Sequence, residues 1–140
     1  MKRILICDDD VEIRDWLRLL LSECEVELTI VSGGEDALDA YAHARHGGES
    51  FDLLLCDLAM PYTNGFEVAQ KIRAAGDSET PVLFMTAFDD DDSLCARAAE
   101  LSVVPILHKP FKSVEDVYGA IESVLGVICG GRFRGVKEVT

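Results

Sequence analysis

Three short segments of this chain place charged residues directly after a run of apolar residues. They are CDDD at residues 7–10, CDLAMP at 56–61 and HKP at 108–110, and they supply several carboxylates and one lysine. The apolar runs before them are typical of strands buried on both faces, and ligands of open parallel sheets bind at the carboxyl ends of such strands. We therefore expect these charged side chains to meet at one edge of a sheet.

The carboxylates of Asp8, Asp9 and Asp57 would repel one another at such an edge. Two carboxylates about 4 Å apart repel by roughly 4 kcal/mol at an effective dielectric constant of 20, so a divalent cation would stabilise the cluster. Because the evident donors are oxygens, with no set of His or Cys ligands, we expect Mg²⁺, with Mn²⁺ as a substitute. Lys109 would pair with Asp57 or with an oxyanion formed there, and Thr86 would offer its hydroxyl to that oxyanion.

The elements that must position these residues alternate between strand and helix five times. The pattern predicts strands at residues 4–7, 26–30, 51–56, 81–85 and 104–107, and helices at 13–24, 34–45, 65–75, 89–101 and 113–128. Asp9 or Asp10 is available as the N-cap of the first helix, and the acidic run at 89–92 would cap the fourth. Because crossover connections are right-handed, these units predict an α/β, doubly wound parallel sheet with helices on both faces.

The composition fits one domain with a single core. The chain has 140 residues, of which 49% are hydrophobic, and a net charge of −13. This charge argues against direct binding of nucleic acid, which draws on clustered Lys and Arg. No apolar stretch approaches the roughly 20 residues that span a bilayer, and residues 1–3 lead straight into a strand without a signal-peptide hydrophobic region. We therefore expect no membrane partner and a cytoplasmic location.

The five cysteines are odd in number, scattered, and without a C-x-x-C pair; they are Cys7, Cys24, Cys56, Cys95 and Cys129. This pattern predicts reduced thiols rather than a disulfide framework or a zinc site. Cys7 and Cys56 precede site aspartates on strands that we expect to be neighbours. Oxidative coupling of these two is therefore a minor alternative hypothesis.

Residues 1 to about 128 resemble the receiver domain of two-component response regulators. The resemblance rests on five motifs in the family's order and spacing: ILICDDD at 4–10, LCDLAMP at 55–61, NG at 64–65, MTA at 85–87 and KPF at 109–111. It implies a five-stranded, flavodoxin-like sheet in the order 2-1-3-4-5. It also implies a signalling phosphoacceptor that catalyses only its own phosphorylation and slow dephosphorylation, and so is not an enzyme in the ordinary sense.

The resemblance also implies a role for each site residue. Asp57 would accept a phosphoryl group from a phosphohistidine on a sensor histidine kinase or a histidine phosphotransfer protein. Asp8 and Asp9 would hold Mg²⁺ together with Asp57 and the backbone carbonyl of Ala59. Lys109 and Thr86 would stabilise the transferred group. Movement of Thr86 would then change the protein-binding face formed by the fourth helix, fifth strand and fifth helix.

One position departs from the family pattern, and a short segment follows the domain. The position three residues before Lys109, commonly aromatic in the family, is Ile106, so the usual aromatic readout is missing. Residues 129–140 are glycine-rich and too short for an output domain, which predicts a C-terminal tail or a linker. The output would be a downstream protein target or an output domain that is absent from this sequence.

Two other functions remain open from the sequence. A receiver-like module could bind partners without phosphorylation, although the intact acidic set favours the phosphoacceptor. An aspartate-nucleophile phosphatase would also use Mg²⁺, but that family carries its nucleophile in a D-x-D motif on the first strand, whereas Asp57 ends the third.

Overall fold

The five strands predicted from the sequence form one parallel sheet. A computed structural model describes residues 1–87, 92–101, 106–109, 111 and 113–129. Its strands are β1 (Lys2–Cys7), β2 (Val26–Val31), β3 (Leu53–Asp57), β4 (Val82–Thr86) and β5 (Ile106–His108). They pair in the order β2-β1-β3-β4-β5, and each pairing is parallel. The predicted α/β, doubly wound fold and the strand order 2-1-3-4-5 are therefore confirmed.

Helices cover both faces of this sheet. They are α1 (Val11–Leu21), α2 (Gly34–His46), α3 (Gly65–Ala74), α4 (Asp92–Glu100) and α5 (Val114–Leu125). Leu5 and Leu54 pack in the core that α2 and α3 cover, whereas Ile4 and Leu55 pack in the core that α1 and α5 cover. Successive side chains of a strand point to opposite faces, so these continuous apolar runs fill both cores. None of the described helices has the length and apolar character needed to cross a membrane.

Helices α1 and α3 begin with side-chain caps beside the carboxyl ends of strands. The Asp10 carboxylate accepts a hydrogen bond of 2.9 Å from the Glu12 N–H, which makes Asp10 the N-cap of α1. Asn64 and Glu67 form a capping box at the start of α3. These caps satisfy helix amides that would otherwise lack partners and fix the loops after β1 and β3. The sequence had allowed Asp9 or Asp10 as the first cap, and the structure selects Asp10.

Two helices end earlier than their apolar patterns predict. α5 ends at Leu125 because Gly126 adopts a left-handed conformation, with φ of 70°, and its N–H donates to the Glu122 carbonyl. A glycine in this conformation is a common helix terminator because it lacks a Cβ. α1 ends at Leu21, followed by Ser22 as C-cap. Residues 89–91 and 104–105, which were predicted to begin α4 and β5, lie outside the described residues.

The prediction that the cysteines are reduced thiols is wrong for one pair. Cys24 and Cys129 form a disulfide, with their Cα atoms 4.3 Å apart. The two residues are 105 positions apart in sequence, so only the fold brings the chain after α1 and the chain after α5 together. Cys7 and Cys56 are buried free thiols, as predicted. The side chain of Cys95 lies outside the described part of the chain.

The structured part of the chain reaches at least one residue beyond the predicted domain end at 128. Cys129 is 1% exposed and belongs to the core that α1 and α5 cover. Residues 130–140 lie outside the described residues, and the prediction of a tail or linker there stays a prediction.

Candidate functional site

The ends of β1 and β3 bring the predicted acidic residues together. The two strands pair directly, with Cys7 opposite Cys56. Asp8 and Asp57, the next residues, are therefore neighbours at the carboxyl edge of the sheet. Oxygen atoms of Asp8, Asp9 and Asp57 all lie within 4.8 Å of one another. Asp8 is fully buried and Asp57 is 5% exposed, whereas Asp9 is exposed. The cluster is therefore closed on the protein side and open to solvent on the side of Asp9.

Lys109 supplies a positive charge to this cluster from the end of β5. Its Nζ atom is 2.6 Å from Asp8 Oδ2 and 3.4 Å from Asp57 Oδ1. Burial lowers the pKa of Lys109, but the hydrogen bond with Asp8 and the charge of Asp57 outweigh burial and raise the pKa above its ordinary value. The ammonium thus stays charged. The sequence predicted a pair with Asp57, and the structure shows that Asp8 is the closer partner.

One lysine does not neutralise the three carboxylates. Burial, and next the negative charge of Asp8, raise the pKa of Asp57 to about 6, although Lys109 acts in the opposite direction. A raised pKa means that the ionised form of Asp57 is poorly compensated at this position. Hard oxygen donors with excess negative charge, open to solvent on one side, are the surroundings in which Mg²⁺ binds.

Asp8 accepts three separate hydrogen bonds. Its Oδ1 accepts the Asp10 N–H at 2.9 Å, its Oδ2 accepts from Lys109, and its backbone carbonyl accepts from Arg14 Nη1 at 2.9 Å. Arg14 lies in the first turn of α1 and was missed by the sequence reasoning. The signal was present, since a lone arginine follows the acidic run by one helical turn and would reach back to it.

Thr86 and Ala59 are neighbours of site residues in the sheet and in the chain. Thr86 is fully buried at the end of β4, opposite His108 of β5, and its carbonyl accepts the Lys109 N–H at 2.7 Å. Ala59 is exposed in the loop that follows Asp57. The roles predicted for the Thr86 hydroxyl and the Ala59 carbonyl stay predictions.

Gly65 allows α3 to begin directly against the end of β3. A Cβ added to Gly65 would lie 2.6 Å from the Asp57 carbonyl oxygen. The Gly65 N–H also donates to the Leu58 carbonyl at 3.1 Å. No other residue type fits here without a shift of the backbone, which explains the Asn-Gly pair of the sequence motif.

The two thiols beneath the site are buried packing groups. The Cys7 thiol donates to Met60 Sδ at 3.4 Å. A hydrogen bond with Cys7, followed by burial, raises the pKa of Cys56 well above its ordinary value, which disfavours its nucleophilic thiolate form. Both cysteines are free in this structure, and their coupling under oxidation stays a hypothesis.

The acidic cluster and the lysine thus lie together at the carboxyl edge of a 2-1-3-4-5 sheet. Residues 4–122 match the family model of the response regulator receiver domain. The chain therefore belongs to the receiver-domain family. Receiver domains are signalling phosphoacceptors of two-component systems and not classical enzymes, and this membership disfavours a phosphorylation-independent module.

The curated relatives are longer than this chain. The Regulator of RpoS from Escherichia coli (strain K12) is 35% identical over 113 residues, covering 81% of this chain and 32% of the relative. The regulatory protein VanRB from Enterococcus faecalis is 33% identical, covering 79% and 46%. The response regulator MprA from Mycobacterium avium is 34% identical, covering 88% and 50%. The chain thus spans about a third to a half of the length of these relatives.

The fold matches that of solved receiver domains. The chemotaxis protein CheY4 of Vibrio cholerae has a TM-score of 0.79 at 26% identity, covering 89% of this chain and 99% of that one. A response regulator receiver protein from Burkholderia phymatum has a TM-score of 0.75 at 25% identity, covering 92% and 98%. These likenesses agree with the strand order of the sheet.

Proposed function

We propose that Asp57 accepts a phosphoryl group from a phosphohistidine on a sensor histidine kinase or a histidine phosphotransfer protein. The observation that carries this proposal is the position of Asp57 at the open edge, beside the buried Asp8 and in contact with the Lys109 ammonium, which bridges the two carboxylates. A carboxylate oxygen of Asp57 attacks phosphorus, the N–P bond of the phosphohistidine breaks, and the imidazole takes the electron pair. The product is an aspartyl phosphate, an acyl phosphate that water later hydrolyses.

The residues present fit a divalent cation. Asp8, Asp9 and Asp57 would hold Mg²⁺, with the backbone carbonyl of Ala59 as a further ligand and Mn²⁺ as a substitute. Support comes from the 4.8 Å grouping of carboxylate oxygens and from the raised pKa of Asp57, which marks uncompensated negative charge. When bound, the ion neutralises charge on the transferring phosphoryl group.

Lys109 and Thr86 would receive the new phosphoryl oxygens. Lys109 keeps its shorter ion pair with Asp8 while its 3.4 Å contact with Asp57 becomes a contact with the phosphoryl group. Phosphoryl transfer through a loose transition state needs little covalent help, so this positioning of charge supplies most of the catalysis. The Thr86 hydroxyl then binds the same group, and its movement alters the face formed by α4, β5 and α5.

The output partner of this face is a protein. Because the chain spans only a third to a half of its curated relatives, we propose either an output domain in a longer protein or a separate downstream target. Ile106 stands where the family commonly has an aromatic residue, so this face differs from the usual one. The net charge of −13 argues against direct contact with nucleic acid. A cytoplasmic location accords with donors that carry phosphohistidine.

Intact-mass analysis after incubation with acetyl phosphate and Mg²⁺ tests this proposal. Wild type should gain a single phosphoryl group, and omission of Mg²⁺ should abolish the gain. Asp57→Ala and the isosteric Asp57→Asn should gain none. Equal labelling of wild type and Asp57→Asn would refute the assignment of the acceptor. Absence of labelling in wild type, although Mg²⁺ raises its melting temperature, would instead indicate a module that works without phosphorylation.

A further inference from the structure

The Cys24–Cys129 disulfide lies at the edge of the sheet opposite the acidic cluster. Cys24 precedes β2, and its carbonyl accepts the Val26 N–H at 2.9 Å at the start of that strand. Asp57 ends β3, so the length of a strand, roughly 15–20 Å, separates the two places. The disulfide therefore has no part in the phosphoacceptor site and calls for an explanation of its own.

The chain after α5 folds back onto that helix and onto the core beneath it. The Cys129 N–H donates to Glu122 Oε2 at 2.8 Å, and Val127 and Cys129 pack in the core that α1 and α5 cover. Ile128 is 84% exposed. A short terminal segment opens more readily than the interior of a sheet. The disulfide is the covalent link that joins this segment to the end of α1.

We propose that Cys24 and Cys129 form a reversible redox site whose reactants are small-molecule thiols and disulfides. In oxidation, the thiolate of one cysteine attacks a disulfide RSSR and releases RS⁻, which takes up the proton. The other cysteine attacks the mixed disulfide and releases the second RS⁻. Two cysteine thiols and one RSSR thus become the protein disulfide and two RSH, and reduction runs in the opposite direction.

Reversibility follows from the surroundings of the pair. The reversibility of this disulfide rests on the cytoplasmic location in the proposed function, because disulfides in the reducing cytosol are usually transient and redox-sensing. Cys24 and Cys129 are 6% and 1% exposed, so attack on either sulfur requires residues 126–129 to open first. Cys7 and Cys56 lie inside the sheet and have no such opening. The chemistry is therefore selective for one pair among the described cysteines.

The consequence is a change in how the chain leaves the domain. Gly126, Val127 and Ile128 line a surface depression together with Lys2 and Glu23 at the amino ends of the strands. Oxidation fixes the segment in this place, and reduction frees it. A domain or tail that follows residue 129 would accordingly be docked or released by the redox state, independently of phosphorylation at the opposite edge.

A thiol-trapping titration tests the redox chemistry. The full chain is equilibrated in glutathione buffers of rising oxidised fraction, quenched in acid, alkylated and mapped by peptide mass spectrometry. Cys24 and Cys129 should become linked together at one midpoint within the cellular range, while Cys7 and Cys56 stay unlinked. A pair that stays linked in every reducing mixture would be a permanent cross-link. A pair that never links would be two ordinary thiols. Either result overturns the proposal.

Hydrogen exchange tests the structural consequence. Amides of residues 127–129 should exchange about tenfold or more faster in the reduced protein than in the oxidised one. Cys24→Ser and Cys129→Ser should resemble the reduced protein in any buffer, with a melting temperature lowered on the order of 10 °C, whereas Cys95→Ser should resemble wild type. Equal exchange in both redox states would refute the release.

Labelling of Asp57 by acetyl phosphate is measured in the same two redox states. It should be unchanged, because the pair lies at the opposite edge of the sheet. If the redox titration fails while labelling is normal, only the redox proposal is wrong. If labelling fails while the redox titration succeeds, only the proposed phosphorylation of Asp57 is wrong. Labelling that depends on the redox state would contradict the independence of the two sites.

Discussion

Replacement of Gly65 by alanine tests how closely α3 is packed against the end of β3. The added Cβ would lie 2.6 Å from the Asp57 carbonyl oxygen and 3.0 Å from the Leu58 Cα. Both are backbone atoms, so no rotation of a side chain relieves the overlap. Either the first turn of α3 moves away from the sheet, or Asp57 itself moves.

The expected loss of stability combines two opposing effects. Inserting a methyl group into a filled space costs about 1–3 kcal/mol, and the cost here lies in the upper half of this range because the neighbours are backbone. Alanine favours a helix over glycine by up to about 1 kcal/mol. The net destabilisation should be about 1–2 kcal/mol. If Asp57 shifts away from Lys109, phosphoryl labelling should slow about tenfold or more.

Gly119 provides a matched control for this substitution. It lies within α5, and a Cβ added there would meet nothing within 4 Å. Gly119→Ala should therefore stabilise the protein by about 0.5–1 kcal/mol and leave labelling unchanged. Urea unfolding can be followed through Trp16, the only tryptophan, whose ring stacks on Phe111 with centroids 5.2 Å apart. Acetyl phosphate labelling of the same proteins gives the second readout.

The packing argument requires that Gly65→Ala lower the free energy of unfolding and that Gly119→Ala raise it. A Gly65→Ala protein as stable as Gly119→Ala, and labelled at the wild-type rate, would refute the close approach of α3 to Asp57. Lost stability with normal labelling would show that α3 moves and Asp57 does not. Lost labelling in both variants would refute the separation of Gly119 from the site.

Three further predictions concern charged residues. Lys109→Met should slow acetyl phosphate labelling about a hundredfold or more at saturating Mg²⁺, and labelling within twofold of wild type would contradict its role. Arg14→Met frees the Asp8 carbonyl, so the concentration of Mg²⁺ that gives half the rise in melting temperature should increase several-fold; an unchanged value would exclude Arg14 as a positioning residue. Asp77→Asn should lower the free energy of unfolding by about 1–2 kcal/mol at pH 7, allowing for solvent screening, and by less as the pH falls below about 4. If the free energies of unfolding of wild type and Asp77→Asn differ by the same amount from pH 7 to pH 2, the prediction for Asp77 is refuted.

The sign of the Asp77 prediction follows from its hydrogen bonds. Burial raises the pKa of Asp77, but hydrogen bonds from Thr80, Tyr41 and backbone amides outweigh burial and hold the pKa below its ordinary value. Tyr41 donates to Asp77 Oδ2 at 2.5 Å, which joins α2 to the loop after α3. A carboxylate with a lowered pKa in the folded state stabilises the fold above its unfolded pKa. That stability is lost as the pH falls through the folded value.

Local sequence patterns were sufficient for the fold class and for the meeting of Asp8, Asp57 and Lys109 at one edge, whereas the strand order 2-1-3-4-5 came from the family resemblance. The apolar runs of β1, β3 and β4 differ from the amphipathic helices in period, and the rule that parallel strands end at one edge gathers Asp8, Asp57 and Lys109. The choice of Asp8 as the closer partner of Lys109 was not predictable, because it depends on the packing of residues 101 positions apart. The Cys24–Cys129 disulfide escaped prediction for the same reason. The end of α5 at Leu125 could have been predicted from Gly126, which stands where a left-handed cap belongs.

The unequal sharing of Lys109 explains why Asp57, among the three aspartates, is suited to modification. Asp8 is fully buried, and its carboxylate oxygens are occupied by the Asp10 amide and by Lys109 at 2.6 Å. Asp57 has the longer contact of 3.4 Å and a pKa raised to about 6, so its charge is the less compensated. A phosphoryl group on Asp57 adds oxygens within reach of Lys109 without breaking the contacts that hold Asp8. The contacts between Asp8 and Lys109 thus stay fixed, and the interactions that can exchange are those of Asp57, which accords with the proposal that Asp57 is the residue phosphorylated.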